Sequence, residues 1–181
     1  KRFIAEQKSD EKFLISKEKN NLKVAIIGAG PSGLACAYFL VLAGYYVNVY
    51  ETKNIAGGMV SDAIPAFRLT ENAIQKDIER IKKLGVTIHY NFKTGKNEFE
   101  KLQKENNFIY IAVGAQKAKK LNIENENSKG ILDSLRFLSD VRRNIKTDLG
   151  NNILVIGGGN TAMDVARAAK RLAGNNGKVT V

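Results

Sequence analysis

Two strand–glycine–helix sequences constrain this chain more than any other feature. The first runs Val24-Ala25-Ile26-Ile27-Gly28-Ala29-Gly30-Pro31-Ser32-Gly33, the second Ile153-Leu154-Val155-Ile156-Gly157-Gly158-Gly159-Asn160-Thr161-Ala162. In each, an apolar run of strand length meets a glycine-rich turn and then a helix-forming stretch. That is the opening of a βαβ unit able to hold a dinucleotide. Two such openings in one chain predict two nucleotides held side by side. The usual chemical reason for that arrangement is to pass a hydride between them.

The rest of the chain reads as alternating strands and helices, which implies a parallel sheet. Leu22 to Ile27 is a continuous apolar run suited to a buried parallel strand. Gly33 to Ala43 reads as a helix closed by Gly44, and Tyr45 to Tyr50 as the second strand. An irregular excursion follows, carrying Gly57-Gly58-Met59 and Ile64-Pro65-Ala66-Phe67-Arg68. Thr70 caps a helix over Glu71 to Leu84, where Ile74, Ile78, Ile81 and Leu84 share one face. Val86 to Tyr90 and Phe108 to Val113 are predicted strands, with a short helix over Phe99 to Asn106 between them. A polar connector then leads to a helix over Leu132 to Asn144, followed by the second glycine motif, its helix over Asn160 to Ala173, and a strand opening at Lys178. The polar N-terminal stretch is predicted to be a lead-in arm, with Phe3, Ile4, Phe13, Leu14 and Ile15 as anchors.

The spacing in the first motif has a physical logic. Gly28 permits the sharp turn out of the strand, Gly30 lets the backbone approach a pyrophosphate, and Gly33 lets helix and strand pack closely. Helix amides then face the phosphates, where the helix dipole favours negative charge. Glu51 closes the second strand about 20 residues further on, where a carboxylate accepts hydrogen bonds from ribose hydroxyls. The second motif places Ala162 at the third-glycine position, a variant small enough for the same contact. Asn160 or Thr161 is predicted to cap its helix and to bond phosphate.

Composition narrows the alternatives. The chain has 181 residues and a net charge of +11. Its lysines are scattered and often mixed with glutamate, as in Glu79-Arg80-Ile81-Lys82-Lys83, so the charge reads as solvated surface rather than a nucleic-acid face. No window approaches the ~18 to 20 apolar residues of a membrane span. The N-terminus lacks the apolar core of a secretory signal, so a cytoplasmic setting is expected. The single cysteine, Cys36, excludes a Cys-x-x-Cys redox pair within this chain and reads as a core residue. His89 reads as an ordinary strand residue, and no metal-ligand spacing occurs.

The chain resembles the flavin-containing NAD(P)H oxidoreductases grouped with the small subunit of bacterial glutamate synthase. The flavin segment of dihydropyrimidine dehydrogenase and selenate reductase-type flavoprotein subunits are similar too. The resemblance is carried by Gly28-Ala29-Gly30-Pro31-Ser32-Gly33-Leu34, Tyr50-Glu51, Gly57-Gly58-Met59 and Ile64-Pro65-Ala66-Phe67-Arg68-Leu69. It continues through Ala112-Val113-Gly114-Ala115 and Gly157-Gly158-Gly159-Asn160-Thr161-Ala162-Met163-Asp164. The Ile-Pro-x-Phe-Arg element is its most specific part.

The resemblance implies that Gly28, Ala29, Gly30, Pro31, Ser32, Gly33 and Glu51 hold the ADP half of FAD. It implies that Gly57, Gly58 and Met59 line the pyrophosphate and flavin approach, and that Arg68 reaches the cofactor as a cation. Ala112, Val113 and Gly114 would pass back over FAD, while Gly157, Gly158, Gly159, Asn160 and Thr161 take the pyrophosphate of NADPH or NADH. Gly57-Gly58 as a plain turn and Arg68 as a surface cation remain open, as does Asp164 between a domain interface and solvent. The implied activity is hydride transfer from NADPH to FAD, with electrons passed to an iron–sulfur domain or subunit. A nucleotide-binding module without turnover is the alternative. No catalytic side chain is expected, because the cofactors carry the chemistry.

The expected organisation is α/β, with a Rossmann-like parallel sheet and the start of a second Rossmann-like lobe. The expected boundaries are an arm over 1–21, an FAD-binding lobe over 22–116, a connector and helix over 117–150, and the opening of a nicotinamide lobe over 151–181. The resemblance implies a later Gly-Asp element near the flavin, as in full members of this type, many of which also carry, or dock onto, a cysteine-rich iron–sulfur region before the FAD domain. The chain is therefore expected to be an internal portion of a larger protein.

Overall fold

The computed structural model describes residues 19–118 and 120–181. The anchors expected at Phe3, Ile4, Phe13, Leu14 and Ile15 lie outside the described residues. The first sheet consists of β1 (Lys23–Ile27), β2 (Tyr46–Tyr50), β3 (Thr87–His89) and β4 (Phe108–Ile111), in the order β3-β2-β1-β4 with every pairing parallel. The helices are α1 (Pro31–Leu42), α2 (Met59–Asp62), α3 (Glu71–Lys83), α4 (Lys96–Glu105), α5 (Ser134–Arg142) and α6 (Asn160–Ala173). A separate pair, β5 (Asn152–Leu154) and β6 (Lys178–Thr180), is also parallel and is joined through α6. The α/β parallel architecture matches the expectation from strand and helix alternation.

β1 is apolar and buried from Val24 to Ile27 because both faces of the first sheet are covered. Successive side chains alternate between faces. Val24 and Ile26, with Val47 and Val49, pack against Leu34, Ala37 and Val41 of α1 and Ile74 and Ile78 of α3. Ala25 and Ile27 face the other way, onto Leu102 of α4 with Phe92, Phe99 and Ile109. Full burial of one such aliphatic side chain contributes roughly 1.5–3 kcal/mol. A third cluster joins Ala63 to Phe137 and Leu138 of α5 and to Ala168 and Ala169 of α6. It fastens the second strand pair to the segment following β2.

Several boundaries differ from the sequence expectation for local reasons. α4 begins at Lys96 because Glu98 Oε2 accepts the Gly95 N–H at 2.9 Å. α5 begins only at Ser134, where the Asp133 carboxylate accepts the Arg136 N–H at 2.8 Å. Thr70 caps α3 as anticipated, accepting from Ala73 N–H at 3.4 Å. The four-residue α2 was unforeseen in a stretch that reads as irregular. β4 and β5 end sooner than their apolar runs, at Ile111 and Leu154.

Candidate dinucleotide-binding site

The strand order places a topological switch at β1, with β2 on one side and β4 on the other. Crevices at the carboxyl ends of strands beside such a switch are where open α/β sheets bind ligands. Gly28 leaves β1 there with φ +106°, and its N–H donates to the Tyr50 carbonyl at 2.8 Å. Ala112, just past β4, lies so close that a Cβ on Gly28 would stand 2.4 Å from its carbonyl oxygen. The structure thus brings Ala112 against the first glycine loop, and Val113 and Gly114 follow directly, Gly114 at φ +66°.

Gly33 shows the closest contact of helix on strand: a Cβ there would lie 2.0 Å from the Gly28 carbonyl oxygen and 3.2 Å from Ile26 Cγ2. Gly30 differs. The nearest atom to a Cβ at Gly30 is Gly58 Cα at 3.9 Å, so the protein itself does not require glycine there. Gly30 is the N-cap of α1, and Pro31 occupies the first turn without a backbone N–H. The first amides of any helix lack acceptors within it, which fits this turn to a pyrophosphate anion. Ser32 also starts α1, and its hydroxyl pairs with the Tyr110 hydroxyl at 2.9 Å.

Glu51 is buried and fixes the turn from below. Its Oε2 accepts the Ala29 N–H at 2.8 Å and its Oε1 the Lys53 N–H at 2.9 Å. Each carboxylate oxygen has a second lone pair able to accept from a hydroxyl. The Ala29 carbonyl accepts the Gly57 N–H at 2.7 Å, which draws the Gly57–Gly58 turn onto the first loop. Gly57 and Gly58 have φ +106° and +56°, and a Cβ on Gly58 would stand 2.8 Å from Gly30 Cα. Gly28, Ala29, Gly30, Glu51, Gly57, Gly58 and Ala112 therefore form one contiguous cluster, in which Ala29, Glu51 and Gly57 are buried.

Met59 and Arg68 make their contacts with α5 and α6. Met59 opens α2 and packs on the cluster formed by Ala63, α5 and α6. The Arg68 guanidinium forms an ion pair with buried Asp164 on α6, so Asp164 is an interface residue rather than a solvated one. Gly157 has φ +128°, and a Cβ there would lie 3.5 Å from Ala162 Cβ. A Cβ at Gly158 or Gly159 would meet nothing within 4 Å. Gly159 is the N-cap of α6 and no side chain caps it; Asn160 and Thr161 are instead the first helical residues. The expected cap is corrected on that point.

A polar network behind the turn escaped the sequence reading. The Asp62 carboxylate is buried and bonded by Lys53 Nζ at 2.7 Å, by Ser139 Oγ at 3.1 Å and by the Arg143 guanidinium. Burial pushes its pKa up, but the hydrogen bonds and charges of Lys53 and Arg143 outweigh this and hold it below the ordinary aspartate value. Arg142, with a side chain only 6% exposed, donates to the carbonyls of Ser61 at 3.1 Å, Ile64 at 2.6 Å and Leu69 at 3.0 Å, and to Glu71 at 3.0 Å. The only signal in the sequence was an arginine pair ending an amphipathic helix, and that pattern is common on solvated surfaces.

Cys36 is partly buried against the first core, and burial raises its thiol pKa. His89 stacks on Tyr50 at 4.7 Å and bonds Asn48 at 3.0 Å. Among the described residues, no group of three or more His, Cys, Asp or Glu side chains could hold a metal. Among them, too, no helix is long and apolar enough to cross a membrane.

Comparison with known proteins bears on this geometry. The family model described as pyridine nucleotide-disulphide oxidoreductase matches residues 22–181. NADPH-Fe(3+) oxidoreductase subunit beta of Geobacter sulfurreducens is 40% identical over 161 residues, covering 86% of this chain and 24% of the relative. NAD-dependent dihydropyrimidine dehydrogenase subunit PreT of Escherichia coli O157:H7 is 38% identical over 152 residues, covering 83% of this chain and 36% of the relative. The chain thus spans well under half the length of these curated relatives. A 2-naphthoyl-CoA reductase structure superposes with a TM-score of 0.73 at 24% identity, over 93% of this chain and 24% of that one. That likeness supports the fold.

Proposed function

Because the chain belongs to the pyridine nucleotide-disulphide oxidoreductase family, we propose that it is the nucleotide-binding portion of an NAD(P)H-dependent flavin oxidoreductase. FAD would sit on the first glycine loop and NADPH or NADH on the second. The observation that carries this reading is the turn at Gly28–Gly33. It is locked to buried Glu51 through the Ala29 N–H and to Gly57 through the Ala29 carbonyl. These bonds within the protein fix the turn, which lowers the ordering cost of binding.

In this proposal the α1 amides and Gly30 receive the FAD pyrophosphate, and Glu51 accepts from the ribose. Gly57 and Gly58 close the near side, while Ala112, Val113 and Gly114 pass over the cofactor. Gly157, Gly158, Gly159, Asn160 and Thr161 receive the second pyrophosphate. Bound flavin supplies hydride acceptance and onward electron transfer; the side chains supply position and charge. The corresponding division is an FAD-binding lobe over 22–116, a connector over 117–150 and the opening of the nicotinamide lobe over 151–181. The relatives' names include an Fe(3+) oxidoreductase subunit and a dihydropyrimidine dehydrogenase subunit. By analogy, electrons leave to an iron–sulfur domain or subunit, as in the glutamate synthase type, within the cytoplasm. The chain's single cysteine leaves no dithiol within it as the exit.

The decisive experiment is an anaerobic titration of the purified full-length protein with NADPH, followed in the visible spectrum. A flavin band near stoichiometric occupancy that bleaches on addition is the expected result. A colourless protein that takes up no added FAD overturns the proposal.

A further inference from the structure

The Ile64–Leu69 strap holds both halves of this molecule. At its root, Arg142 on α5 donates to the Ile64 and Leu69 carbonyls from a nearly inaccessible side chain. At its crest, Arg68 pairs with Asp164 and the Phe67 ring lies under the Arg171 guanidinium at 3.9 Å. Asp164 and Arg171 are about two turns apart on α6 and so share one face. The strap therefore grips that helix at two points. The N-terminus of α6 is the second glycine loop, and the strap descends from Gly57–Gly58, which packs on the first.

Arg142 and Arg143 bind α5 to the strap side by polar contacts, whereas the other contact of α6 with this segment is the apolar cluster of Ala63, Phe137, Leu138, Ala168 and Ala169. Small apolar surfaces are non-directional and tolerate sliding. The charge-assisted pair has a fixed geometry and does not. We propose that Arg68 and Asp164 are a positioning pair that sets the separation and angle between the two glycine loops. The inference rests on the reading that each loop holds a dinucleotide. Hydride transfer needs its reacting atoms about 3–3.5 Å apart, and a displacement near 1 Å costs about a hundredfold in rate.

The two partners are unequal, because the Arg68 side chain is 40% exposed and that of Asp164 only 11%. Removing Arg68 strands a buried carboxylate, whereas removing Asp164 frees an arginine that water can solvate. Arg68→Gln is therefore expected to disturb the geometry more than Asp164→Asn. Exchange of the charges in the double variant Arg68→Asp with Asp164→Arg is expected to restore it in part.

The test uses the full-length protein with ketone-bearing amino acids at Lys101 on α4 and Leu172 on α6. Both positions are exposed, and both would carry spin labels for dipolar distance measurement. A single narrow distance distribution is expected in the parent, a broadened one in Arg68→Gln, and narrowing again in the exchanged pair. Distributions that stay narrow in both single variants overturn the proposal. In rapid mixing with NADPH, Arg68→Gln is expected to slow the limiting rate of flavin reduction at least about tenfold, with the half-saturating NADPH concentration within about twofold. An unchanged limiting rate in a variant that retains FAD also overturns it. A protein that takes up no flavin instead refutes the proposed function, and the distance measurement still decides whether the pair fixes the loops.

Discussion

The first glycine loop is crowded by its own protein and the second is not. At Gly28 and Gly33 a single added carbon would come within 2.4 Å and 2.0 Å of a backbone oxygen, and at Gly58 within 2.8 Å of a backbone Cα. At Gly158 and Gly159 the same carbon meets nothing within 4 Å. Similar motifs thus carry glycine for different reasons. In the first, packing of strand, helix and the β2–α3 excursion already demands it. In the second, only Gly157 is demanded by the chain, through its φ of +128°. Any demand at the next two positions must come from what the loop binds or packs against beyond these residues.

The strongest way to break this comparison is Gly28→Ala. The substitution combines a positive φ with a clash against the immobile Ala112 carbonyl, for an expected loss of about 3 kcal/mol or more. Urea unfolding of the full-length protein should show it, alongside Gly30→Ala as the contrasting case within the same loop. A Cβ on Gly30 has room, so its effect on stability should stay within about 0.5 kcal/mol while FAD affinity falls. If both variants were equally stable, crowding would not explain the first loop.

Arg142→Ala comes next. It leaves the Ser61, Ile64 and Leu69 carbonyls without this donor, at an expected cost of about 2–3 kcal/mol. Lysine should rescue little, because one ammonium cannot reproduce the guanidinium fork. Limited proteolysis should find new cleavage between Ile64 and Leu69. A strap as resistant as the parent's would show that the core contacts hold it alone.

Asp62→Asn should cost about 1–2 kcal/mol near neutral pH, because it weakens charge-assisted bonds from Lys53 and Arg143. Its sharper signature is the pH dependence. The folded pKa lies below the unfolded one, so the stabilisation is complete above the ordinary aspartate value of about 4 and disappears as pH falls through the lower folded value. Parent and variant should accordingly converge in acid, with the gap opening as pH rises towards about 4 and staying constant above it. Parallel stability curves across that range would remove Asp62 from the network.

The contrast between the loops also marks what the sequence could reveal. β1, α1, β2 and the helix over Asn160–Ala173 were legible because apolar runs and glycine placement agreed with the tertiary fold, although the cap expected at Asn160 or Thr161 did not form. Glu51 was legible by its spacing, but not its second task of holding the Ala29 and Lys53 amides. The Asp62 and Arg142 networks were not legible, since their contacts with α5 join residues 71 to 81 positions apart and polar contacts at that range leave no local period. Arg68 was singled out for a cofactor, and only the folded chain reveals Asp164 as its partner.

The smallest expected effect is the most discriminating one for the second loop. Gly158→Ala and Gly159→Ala place a methyl group where the described residues leave space, and neither glycine has a positive φ. Each should change unfolding stability by no more than about 0.5 kcal/mol. Under the proposed function the same methyl groups obstruct the backbone's approach to a pyrophosphate, so binding of NADP+ to the full-length protein should weaken about tenfold or more. Calorimetric titration separates the two quantities. A large loss of stability would mean that protein packing demands glycine at these positions, which would remove the contrast with the first loop. Unchanged stability with unchanged affinity would mean that neither packing nor nucleotide demands it, and the second motif would then be a turn and not a site.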